Sequence, residues 1–563
     1  MDRRLVCMVI LLLVSCGQLK EPARSGGAAG LSASSPARLT AVTTTETRLL
    51  RQASCTGSFV AHTLDHTTTV HGDAIRLFNS NGAGVAINDL DNDGWLDLVF
   101  ADLKGEATIL WNQGSLAFRR DTLDARHTRA VNIVDVDGDG WQDLVFTHRA
   151  AGITYWRNAG TDAGSRAARF VRTRLRDVSQ PAYAMNWADL NGDGSLDLVT
   201  GAYDVELAKE LRDSFMFGDG AGVFYYEQQA DRFVRQRLAQ ESQTLAIGFP
   251  DLNQDGRADL LIGNDFGTRD QAWLHAASGW DSAESFAATA HSTMSFDHGD
   301  IDNDGVAELF ATDMKPFDID TQTLAAWLPI MASMATTHEQ GDPQVMENVL
   351  QVRGAHGRWK NEAYTRGVDA TGWSWSGKFG DLDNDGFLDL YVVNGMIAKE
   401  LFAHLPNDEL IEANQALQND GTGHFEVASH WGLGSTASGR GMSMADLDHD
   451  GDLDIVVNNL RAPAQLFENQ VCGGAGFEVE LRWPQSKNRF GIGAQLVLHT
   501  TAGSYTRDVR VASGYLSGDP ARIHIGFPAD AGLQRLDVRW PDGELSSIDT
   551  LHAQTLMTVT RAR

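Results

Sequence analysis

Positive charge, cysteine and long apolar runs are all scarce in this sequence. The chain has 46 lysine and arginine residues against 75 aspartate and glutamate residues, a formal net charge of −29 over 563 residues. This balance disfavours nucleic acid as a partner, because phosphates are bound by basic patches. The sequence also lacks a Ser/His/Asp nucleophile elbow, an HExxH motif and a phosphate-binding loop. No catalytic residue is therefore predicted, and an enzyme is the less favoured class.

The apolar run from Leu5 to Val14 is too short to cross a membrane as a helix. It follows two arginines, a pattern typical of an export signal. The run ends in LVSC at Cys16, which resembles a bacterial lipobox. The resemblance implies a signal peptide over residues 1–15 and lipidation of Cys16 in the cell envelope. Gly17 favours the outer membrane by analogy with Gram-negative sorting, and an ordinary signal peptide that is cut later is the alternative.

Residues 16–55 are rich in Ser, Ala, Gly and Thr and are predicted to be a flexible tether. Of the four cysteines, only Cys55 and Cys472 remain as candidates for the folded region. An exported protein folds in an oxidising compartment, so these two are a possible disulfide. Such a bridge would fasten the two ends of the central region, and two free buried thiols are the alternative.

What the sequence has in abundance is one acidic phrase, Asp-x-[Asp/Asn]-x-Asp-Gly-x-x-[Asp/Glu], written seven times. Oxygens at positions 1, 3, 5 and 9, with the backbone carbonyl of position 7, can surround a hard cation. Calcium accepts six to eight oxygens in flexible geometry, and the absence of His and Cys argues against zinc or copper. The sequence therefore predicts up to seven Ca²⁺ sites.

The predicted ligands form seven sets, which we call loops 1 to 7. They are Asp89, Asp91, Asp93, Trp95 and Asp97; Asp135, Asp137, Asp139, Trp141 and Asp143; Asp189, Asn191, Asp193, Ser195 and Asp197; Asp251, Asn253, Asp255, Arg257 and Asp259; Asp300, Asp302, Asp304, Val306 and Glu308; Asp381, Asp383, Asp385, Phe387 and Asp389; Asp446, Asp448, Asp450, Asp452 and Asp454.

The phrase also resembles the start of an EF-hand loop, which requires an acidic residue at position 12 and flanking helices. Position 12 is acidic in none of the seven copies, and each copy is followed by a β-favouring run such as LDLVF or LDIVV. Each loop is therefore predicted to join two strands. Metal-free Asp/Gly turns are the alternative for any single copy. The asparagines at position 3 of loops 3 and 4 lower the ligand charge and are expected to lower the affinity.

Seven bound Ca²⁺ ions would offset about half of the net charge of −29. Short strands recur after each loop, as in LWNQG followed by AFRRDTL, which indicates four strands per repeat. Seven such units predict an all-β fold, a seven-bladed β-propeller over residues 56–470, with a linear solenoid as the competing arrangement. Residues 314–361 form an insertion with a possible short helix. Residues 471–563 lack the phrase and are predicted to form a small, separate β-sandwich-like domain.

The motifs resemble FG-GAP or VCBS-type repeats, and STMSFDHGDIDNDG and GRGMSMADLDHDGDLDIVVNN resemble bacterial relatives of cartilage acidic protein. In the tail, NRFGIGA, SGYLS and VRWPDG are similar to the ASPIC/UnbV domain. The resemblance implies an exported calcium-binding propeller followed by a C-terminal β domain, with no settled activity. Phe490 stands where this family pattern leads us to expect an acidic residue.

The loops at the opposite end of each blade usually form the binding mouth of a propeller. We expect a mixed polar and aromatic set there: Asp204, Asp265, Asp313, Trp373, Trp375, Asn394, Arg440 and Arg461, together with Asn81, Asp102, His148, Tyr203, Asn264, Lys315 and Asn458. Such a set suits a protein or carbohydrate ligand, whereas a solvated ring of loop residues is the plainer interpretation.

Three function classes remain. A lipid-anchored binding or adhesion module on the cell surface is favoured, with the membrane contacted only through the anchor. An enzyme acting on polysaccharide or glycoconjugate, of lyase or dehydratase type, is the second. A structural partner in an envelope assembly is the third. Convergence of His148, His291 or His298 with acids outside the seven loops would favour catalysis.

Overall fold

The part of the chain that the computed structural model describes consists almost entirely of β-strands. It covers residues 39–50, 55–72, 74–161, 168–211, 222–334, 342–354 and 357–562, all within one unit, Leu39–Arg563. The predicted signal peptide, Cys16 and most of the tether lie outside the described residues. Among the described helices, none has the length and apolar character that a membrane span requires.

Two strands precede the repeats, β1 (Val42–Arg48) and β2 (Val60–Thr67). Four antiparallel sheets of four consecutive strands follow. Their strands are β3 (Val85–Asn88), β4 (Asp97–Phe100), β5 (Glu106–Asn112) and β6 (Phe118–Arg126); β7 (Thr128–Val134), β8 (Asp143–His148), β9 (Ala151–Thr161) and β10 (Ala168–Thr173); β11 (Ala184–Ala188), β12 (Asp197–Gly201), β13 (Val223–Gln229) and β14 (Arg232–Ala239); β15 (Thr244–Gly248), β16 (Leu260–Asn264), β17 (Gln271–Ala276) and β18 (Gly279–Ala283).

The next two sheets carry additional short strands. The segments, in chain order, are β19 (Thr289–Ala290), β20 (Phe296–Gly299), β21 (Glu308–Ala311), β22 (Met314–Lys315), β23 (Gln344–Val345), β24 (Val349–Arg353), β25 (Trp359–Asn361), β26 (Gly372–Gly380), β27 (Asp389–Asn394), β28 (Met396–Ile397), β29 (Glu409–Leu410), β30 (Gln415–Asn419) and β31 (Phe425–Val427). The fifth sheet has the order β20-β21-β24-β25, and the sixth has the order β22-β26-β27-β30-β31.

In the described part of the chain, four helices lie in the connections: α1 (Asp204–Leu211), α2 (Thr321–Met334), α3 (Ala363–Arg366) and α4 (Lys399–Phe402). Two 3-10 turns, Pro406–Asp408 and Ser429–Trp431, accompany them. The helix predicted within the insertion is therefore present as α2.

The seventh sheet joins the two ends of the repeat region. It combines β32 (Gly439–Ala445), β33 (Asp454–Asn459) and β34 (Pro463–Glu468) with the early strand β2, whose Val60 pairs with Glu468. The first strands of the seven sheets contact one another in a closed series, β3, β7, β11, β15, β20, β26, β32 and again β3. This is the arrangement of a β-propeller with seven blades, and it excludes the linear solenoid.

Each acidic loop joins the first and second strands of its blade, as the sequence predicts. The ring is also closed covalently, because Cys55 and Cys472 form a disulfide with their Cα atoms 5.5 Å apart. This confirms the predicted pairing, since Cys55 lies just before β2 and Cys472 just after β34.

The C-terminal region forms two more four-stranded sheets from β35 (Ala475–Arg482), β36 (Gln495–Thr500), β37 (Ser504–Asp508), β38 (Arg522–Phe527), β39 (Leu533–Arg539), β40 (Leu545–Ile548) and β41 (Thr555–Arg561). One sheet has the order β37-β36-β39-β40, and the other has the order β1-β41-β35-β38. Buried residues of both, such as Val479 and Leu498, belong to one apolar core.

One sequence prediction about boundaries is wrong. Residues 42–48, predicted as part of the flexible tether, form β1 and pair with β41, where Val42 is opposite Arg561. The run VTTTETR is rich in β-branched residues, which fit a pleated strand. The C-terminal region forms its own two sheets, and it packs with the propeller in one compact unit.

Candidate metal centres

The seven acidic loops share one hydrogen-bonding pattern. The glycine N–H at position 6 donates to the aspartate at position 1 over 2.8–3.0 Å in every loop. The N–H of position 2 donates to the carboxylate at position 9 over 2.8–3.2 Å. The acids thus organise the backbone of the loop, and each keeps further oxygen lone pairs for another partner.

Glycine at position 6 is required by backbone conformation. Its φ angle lies between 82° and 96° in all seven loops, a region that other residues rarely adopt. A Cβ on Gly94, Gly140 or Gly305 would meet no atom within 4 Å, so crowding is not the reason at these positions.

Carboxylate oxygens converge in five of the loops. Three acids from each offer oxygens that all lie within 4.8 Å of one another, and the sets are Asp89, Asp91 and Asp97; Asp135, Asp137 and Asp143; Asp300, Asp302 and Asp304; Asp381, Asp383 and Asp385; Asp446, Asp448 and Asp454. Loops 3 and 4 have Asn191 and Asn253 at position 3, so fewer carboxylates are available to them. The clusters are suited to hold metal ions, and the two asparagine loops carry less charge.

Several of these oxygens are buried without a hydrogen bond. Oδ1 of Asp89, of Asp302 and of Asp383 is in this state. A buried, unpaired carboxylate oxygen is costly, and bound metal ions commonly offset that cost. The hard oxygen donors and their convergence fit a divalent cation such as Ca²⁺.

Burial is also the main cause of the raised pKa values in the loops. It raises the pKa of Asp89 to about 7, of Asp143 to about 8 and of Glu308 to about 8. Neighbouring carboxylates add to the shift, for example Asp302 and Asp300 beside Glu308. A cation at these sites would favour the ionised forms and act against both effects.

Loops 2 and 4 each have an arginine in a close ion pair with candidate ligands. Arg157 forms ion pairs with Asp137 and with Asp139 in loop 2, the latter at 2.5 Å. Arg257, at position 7 of loop 4, lies 2.6 Å from Asp255. A guanidinium at this place competes with a metal ion for the same carboxylates.

The C-terminal domain lies against the loops. Its side chains donate to backbone carbonyls inside them: Arg522 Nη2 to Gly94 O at 2.9 Å, Arg489 Nε to Gly138 O at 2.7 Å and Ser486 Oγ to Gly194 O at 2.8 Å. His524 Nε2 is 3.1 Å from Gly451 O. The domain therefore contacts the loops of blades 1, 2, 3 and 7 in the conformation that brings their acids together.

Comparisons with known proteins give the same division of the chain. An FG-GAP-like repeat model matches residues 89–146, 135–200, 251–311 and 401–457, and the ASPIC and UnbV model matches residues 479–563. The chain is an FG-GAP repeat protein with a C-terminal ASPIC and UnbV domain.

Cartilage acidic protein 1 from Mus musculus and from Homo sapiens is 32% identical to this chain over 113 residues. The match covers 19% of this chain and only 17% of the length of each relative. Among solved structures, BBS1N in complex with ARL6DN matches with a TM-score of 0.38 and 10% identity, covering 68% of this chain and 91% of that one. A Photorhabdus luminescens Tc holotoxin pore matches with a TM-score of 0.32 and 12% identity, covering 88% of this chain and 18% of that one.

The SGYLS segment of the ASPIC and UnbV domain enters the centre of the propeller. Gly514 N donates to Phe296 O at 2.8 Å, Leu516 O accepts from Val131 N at 3.2 Å, and Gly518 N donates to Val85 O at 3.0 Å. These partners belong to, or adjoin, the innermost strands of blades 5, 2 and 1. The segment thus plugs the channel.

Tyr515 lies in the buried part of this plug. It is fully buried, its hydroxyl is 2.9 Å from that of Tyr183, and its ring centroid is 5.1 Å from that of Trp375. Arg129 packs over Tyr183 and pairs with the buried Glu206 at 2.6 Å. The bottom of the channel is therefore closed by an aromatic and ionic cluster.

The predicted ligand mouth is wrong for six of its eight principal residues, which are buried: Asp265, Asp313, Trp373, Trp375, Asn394 and Arg440. Trp375 Nε1 donates to Gly395 O at 2.8 Å, and Arg440 stacks 4.3 Å from the Trp375 ring while its Nε donates to Ser80 O at 2.7 Å. These polar groups satisfy backbone carbonyls at strand ends. Arg461 is exposed and Asp204 is half-buried.

The additional mouth residues behave similarly. Asn81, Asp102, Tyr203, Asn264 and Asn458 are buried. Asn458, for example, accepts from Thr68 Oγ1 at 2.8 Å and donates to Gly84 O at 3.1 Å. His148 contacts Thr154 at 2.7 Å, and Lys315 pairs with Glu347 at 2.8 Å and with Asp369.

Sequence reasoning missed the residues of the ASPIC and UnbV domain that contact the loops, among them Glu478, Arg507 and Arg522, all of them buried or nearly so. The sequence signal that could have found them is the pair Arg507 and Arg510 in TRDVRVASGYLS, because these two cations follow seven acidic clusters in the chain. His298 does meet an acid outside the loops, because its Nε2 lies 3.6 Å from Asp508 Oδ2.

Proposed function

We propose that this protein is an exported, lipid-anchored, calcium-binding propeller that acts as a binding or adhesion module for a protein or carbohydrate ligand at the bacterial cell surface. The observation that carries the proposal is the position of the acidic loops. There is one per blade, and their acids converge where the ASPIC and UnbV domain packs. Ions at these places would be structural, because they lie between two parts of the fold.

Calcium is the favoured ion because every side-chain donor is an oxygen and the loops bring several carboxylates together. Sites of this kind outside the cell bind calcium with a Kd of roughly 10⁻⁴ to 10⁻³ M. The metal would neutralise the repulsion within each loop and fix the loop carbonyls that Arg522 and Arg489 contact.

Recognition is then assigned to the other end of the blades, where strands 2 and 3 are joined. Of the residues there, Arg461 is exposed, Asp204 is half-buried and Phe266 is 41% exposed. A cation, an acid and an aromatic ring suit a sugar or a peptide. These three side chains replace the buried tryptophans as the candidates for ligand contact.

The ligand test uses a soluble form that begins at Leu39, because β1 belongs to the folded unit. We expect calcium-dependent signals on a glycan array or a surface-protein array. They should weaken at least tenfold in the Phe266→Ala/Arg461→Ala double variant without a change in melting temperature. Undiminished binding by the variant would place the ligand elsewhere, and an absence of binding on all arrays would argue against an adhesion role.

The anchor is tested separately in cells. A Cys16→Ser variant should move from the membrane fraction to the soluble envelope fraction and lose labelling by a fatty-acid analogue. A variant that stays in the membrane fraction would contradict lipid anchoring at this cysteine.

A second candidate, an enzyme acting on polysaccharide, has one observation in its favour. His298 and Asp508 line a cavity of about 220 Å³ between the propeller and the ASPIC and UnbV domain, together with Gln495 and Arg510. A lyase would release products that absorb in the ultraviolet, and His298→Ala would abolish their release. Activity that persists in this variant would show that His298 and Asp508 do not carry out the reaction.

A further inference from the structure

Strand β35 lies directly on loops 6 and 7. A Cβ on Gly474 would come within 1.8 Å of Asn384 O, and a Cβ on Gly476 within 2.0 Å of Gly451 O. Only glycine permits this approach. Because side chains alternate along a strand, Glu478 projects from the same face of β35 as Gly476. That face is the one turned toward the acidic loops.

The carboxylate of Glu478 is buried in an unusual state. The residue is 1% exposed, and its Oε2 accepts no hydrogen bond. The nearest cation, Arg522 Nη1, is 3.9 Å away, beyond hydrogen-bond distance. Arg522 instead donates through Nε to Glu480 at 2.9 Å and through Nη2 to the carbonyl of Gly94 at 2.9 Å. A buried carboxylate oxygen without a partner is expected to have one when the protein is complete.

Loop 7 lies next to this carboxylate, and a cation bound in loop 7 would be such a partner. Glu478 and Asp446, the first ligand of loop 7, line the same cavity of about 130 Å³. Burial raises the pKa of Glu478 well above its usual range, and the Asp446 carboxylate is the next largest cause. Arg522 offsets part of the repulsion between these two buried carboxylates, and a metal ion in loop 7 would offset more of it.

We propose that Glu478 of the ASPIC and UnbV domain is a ligand of the metal ion in loop 7, so that one ion joins the two domains. The inference rests on the proposed binding of calcium by the loops. It adds a ligand that the nine-residue phrase does not contain, and it gives loop 7 a role in domain docking that the other loops need not share. Loop 7 also has an acid, Asp452, at position 7, which gives it five aspartates in nine residues.

The test compares melting temperatures of the full chain in a chelator and in 10 mM calcium. In the chelator, Glu478→Gln should melt at a higher temperature than wild type, because the cost of burying a carboxyl group without a partner is gone. In calcium, it should melt at a lower temperature than wild type, because a ligand is gone. A side chain that only fills space would change both temperatures in the same direction.

Glu412→Gln is the matched control. Glu412 is a half-buried carboxylate that accepts from Trp373 N at 2.7 Å and from Trp327 Nε1 at 3.1 Å, at the end of β26 opposite loop 6. Its replacement should leave the gain in melting temperature on adding calcium equal to that of wild type. Calorimetric titration of stripped protein should show one calcium site weakened at least tenfold in Glu478→Gln and none in the control.

The outcomes separate the two proposals. If wild type gains no stability from calcium, the proposed function fails. If wild type gains stability and Glu478→Gln gains equally, the loops bind calcium but Glu478 is not a ligand. Should Glu478→Gln fail to fold, Glu478→Asp keeps the charge but withdraws it by one methylene. Its melting temperature in chelator should match wild type and its gain in calcium should be smaller, and an equal gain would overturn the inference.

Discussion

Loops 4 and 6 carry the same nine-residue phrase in two different settings. In loop 4, Asp251, Asp255 and Arg257 are exposed. In loop 6, Asp381 is 1% exposed and Gly386 is covered by Tyr505 of the ASPIC and UnbV domain, which a Cβ on that glycine would meet at 2.4 Å. The backbone hydrogen bonds from position 6 to position 1 are nevertheless alike, 2.8 Å in loop 4 and 2.9 Å in loop 6.

The nine-residue phrase therefore determines the shape of a loop, but it does not determine how much stability is lost when the loop holds no metal ion. Two acids of loop 4, Asp251 and Asp255, can be solvated by water, and Asp255 is also paired with Arg257. Those of loop 6 have lost that water, so burial raises the pKa of Asp381 and of Asp389 well above the ordinary range. Dependence on metal should therefore follow burial beneath the ASPIC and UnbV domain.

Removal of all calcium should have the largest effect. With a Kd of roughly 10⁻⁴ to 10⁻³ M, 10 mM calcium stabilises the native state by about 1.4 to 2.7 kcal/mol per site. Over up to seven sites this corresponds to a gain in melting temperature of about 10–20 °C, measured by differential scanning fluorimetry with EGTA and with calcium. An unchanged melting temperature would refute calcium binding.

The metal-free protein should be less stable at pH 8 than at pH 5.5. Burial raises the pKa of Asp89 to about 7 and of Asp143 to about 8, against about 3.8 in the unfolded chain. The native state therefore holds protons that the unfolded state has lost, and stability falls as the pH rises through the native pKa values. We expect a fall in melting temperature of roughly 5 °C or more in EGTA, and a smaller fall in calcium. Greater stability at pH 8 in EGTA would contradict this account.

Single substitutions should separate loop 6 from loop 4. Asp381→Asn should lower the stability of the calcium-loaded protein by about 1.4 to 2.7 kcal/mol, since one well-occupied site is lost. Asp251→Asn should lower it by less than about 1 kcal/mol, because loop 4 has Asn253 and Arg257 and binds weakly. Equal losses by chemical denaturation would show that burial does not govern metal dependence.

The smallest effect is expected at Arg257. Arg257→Ala removes the guanidinium that lies 2.6 Å from Asp255. We expect calcium affinity at loop 4 to rise about two- to threefold, because an exposed ion pair competes only weakly with the metal ion for Asp255. Calorimetric titration of wild type and variant measures this directly, with Arg461→Ala as a control that should leave the titration unchanged.

The sequence was sufficient for features that depend on short spacing. The phrase brings its glycine and its acids into one loop, so the loops, the strands that flank them and the seven-blade ring were predictable. The disulfide was a simple consequence of having two cysteines left. Features that depend on distant segments were not predictable: the run VTTTETR pairs with β41, and Tyr515 reaches Tyr183. The prediction of the ligand mouth failed because polar residues at strand ends, such as Asn394 and Arg440, donate hydrogen bonds to nearby backbone carbonyls and face inward.

The closure of the sheets by β1 and β2 has a consequence for biogenesis. Val42 pairs with Arg561, and Val60 pairs with Glu468, so neither sheet can form until most of the chain has been made. Contacts between such distant segments form slowly, because the chain must first close a very long loop. Until those late segments arrive, the edges of β1 and β2 are unpaired and open to pairing with another chain.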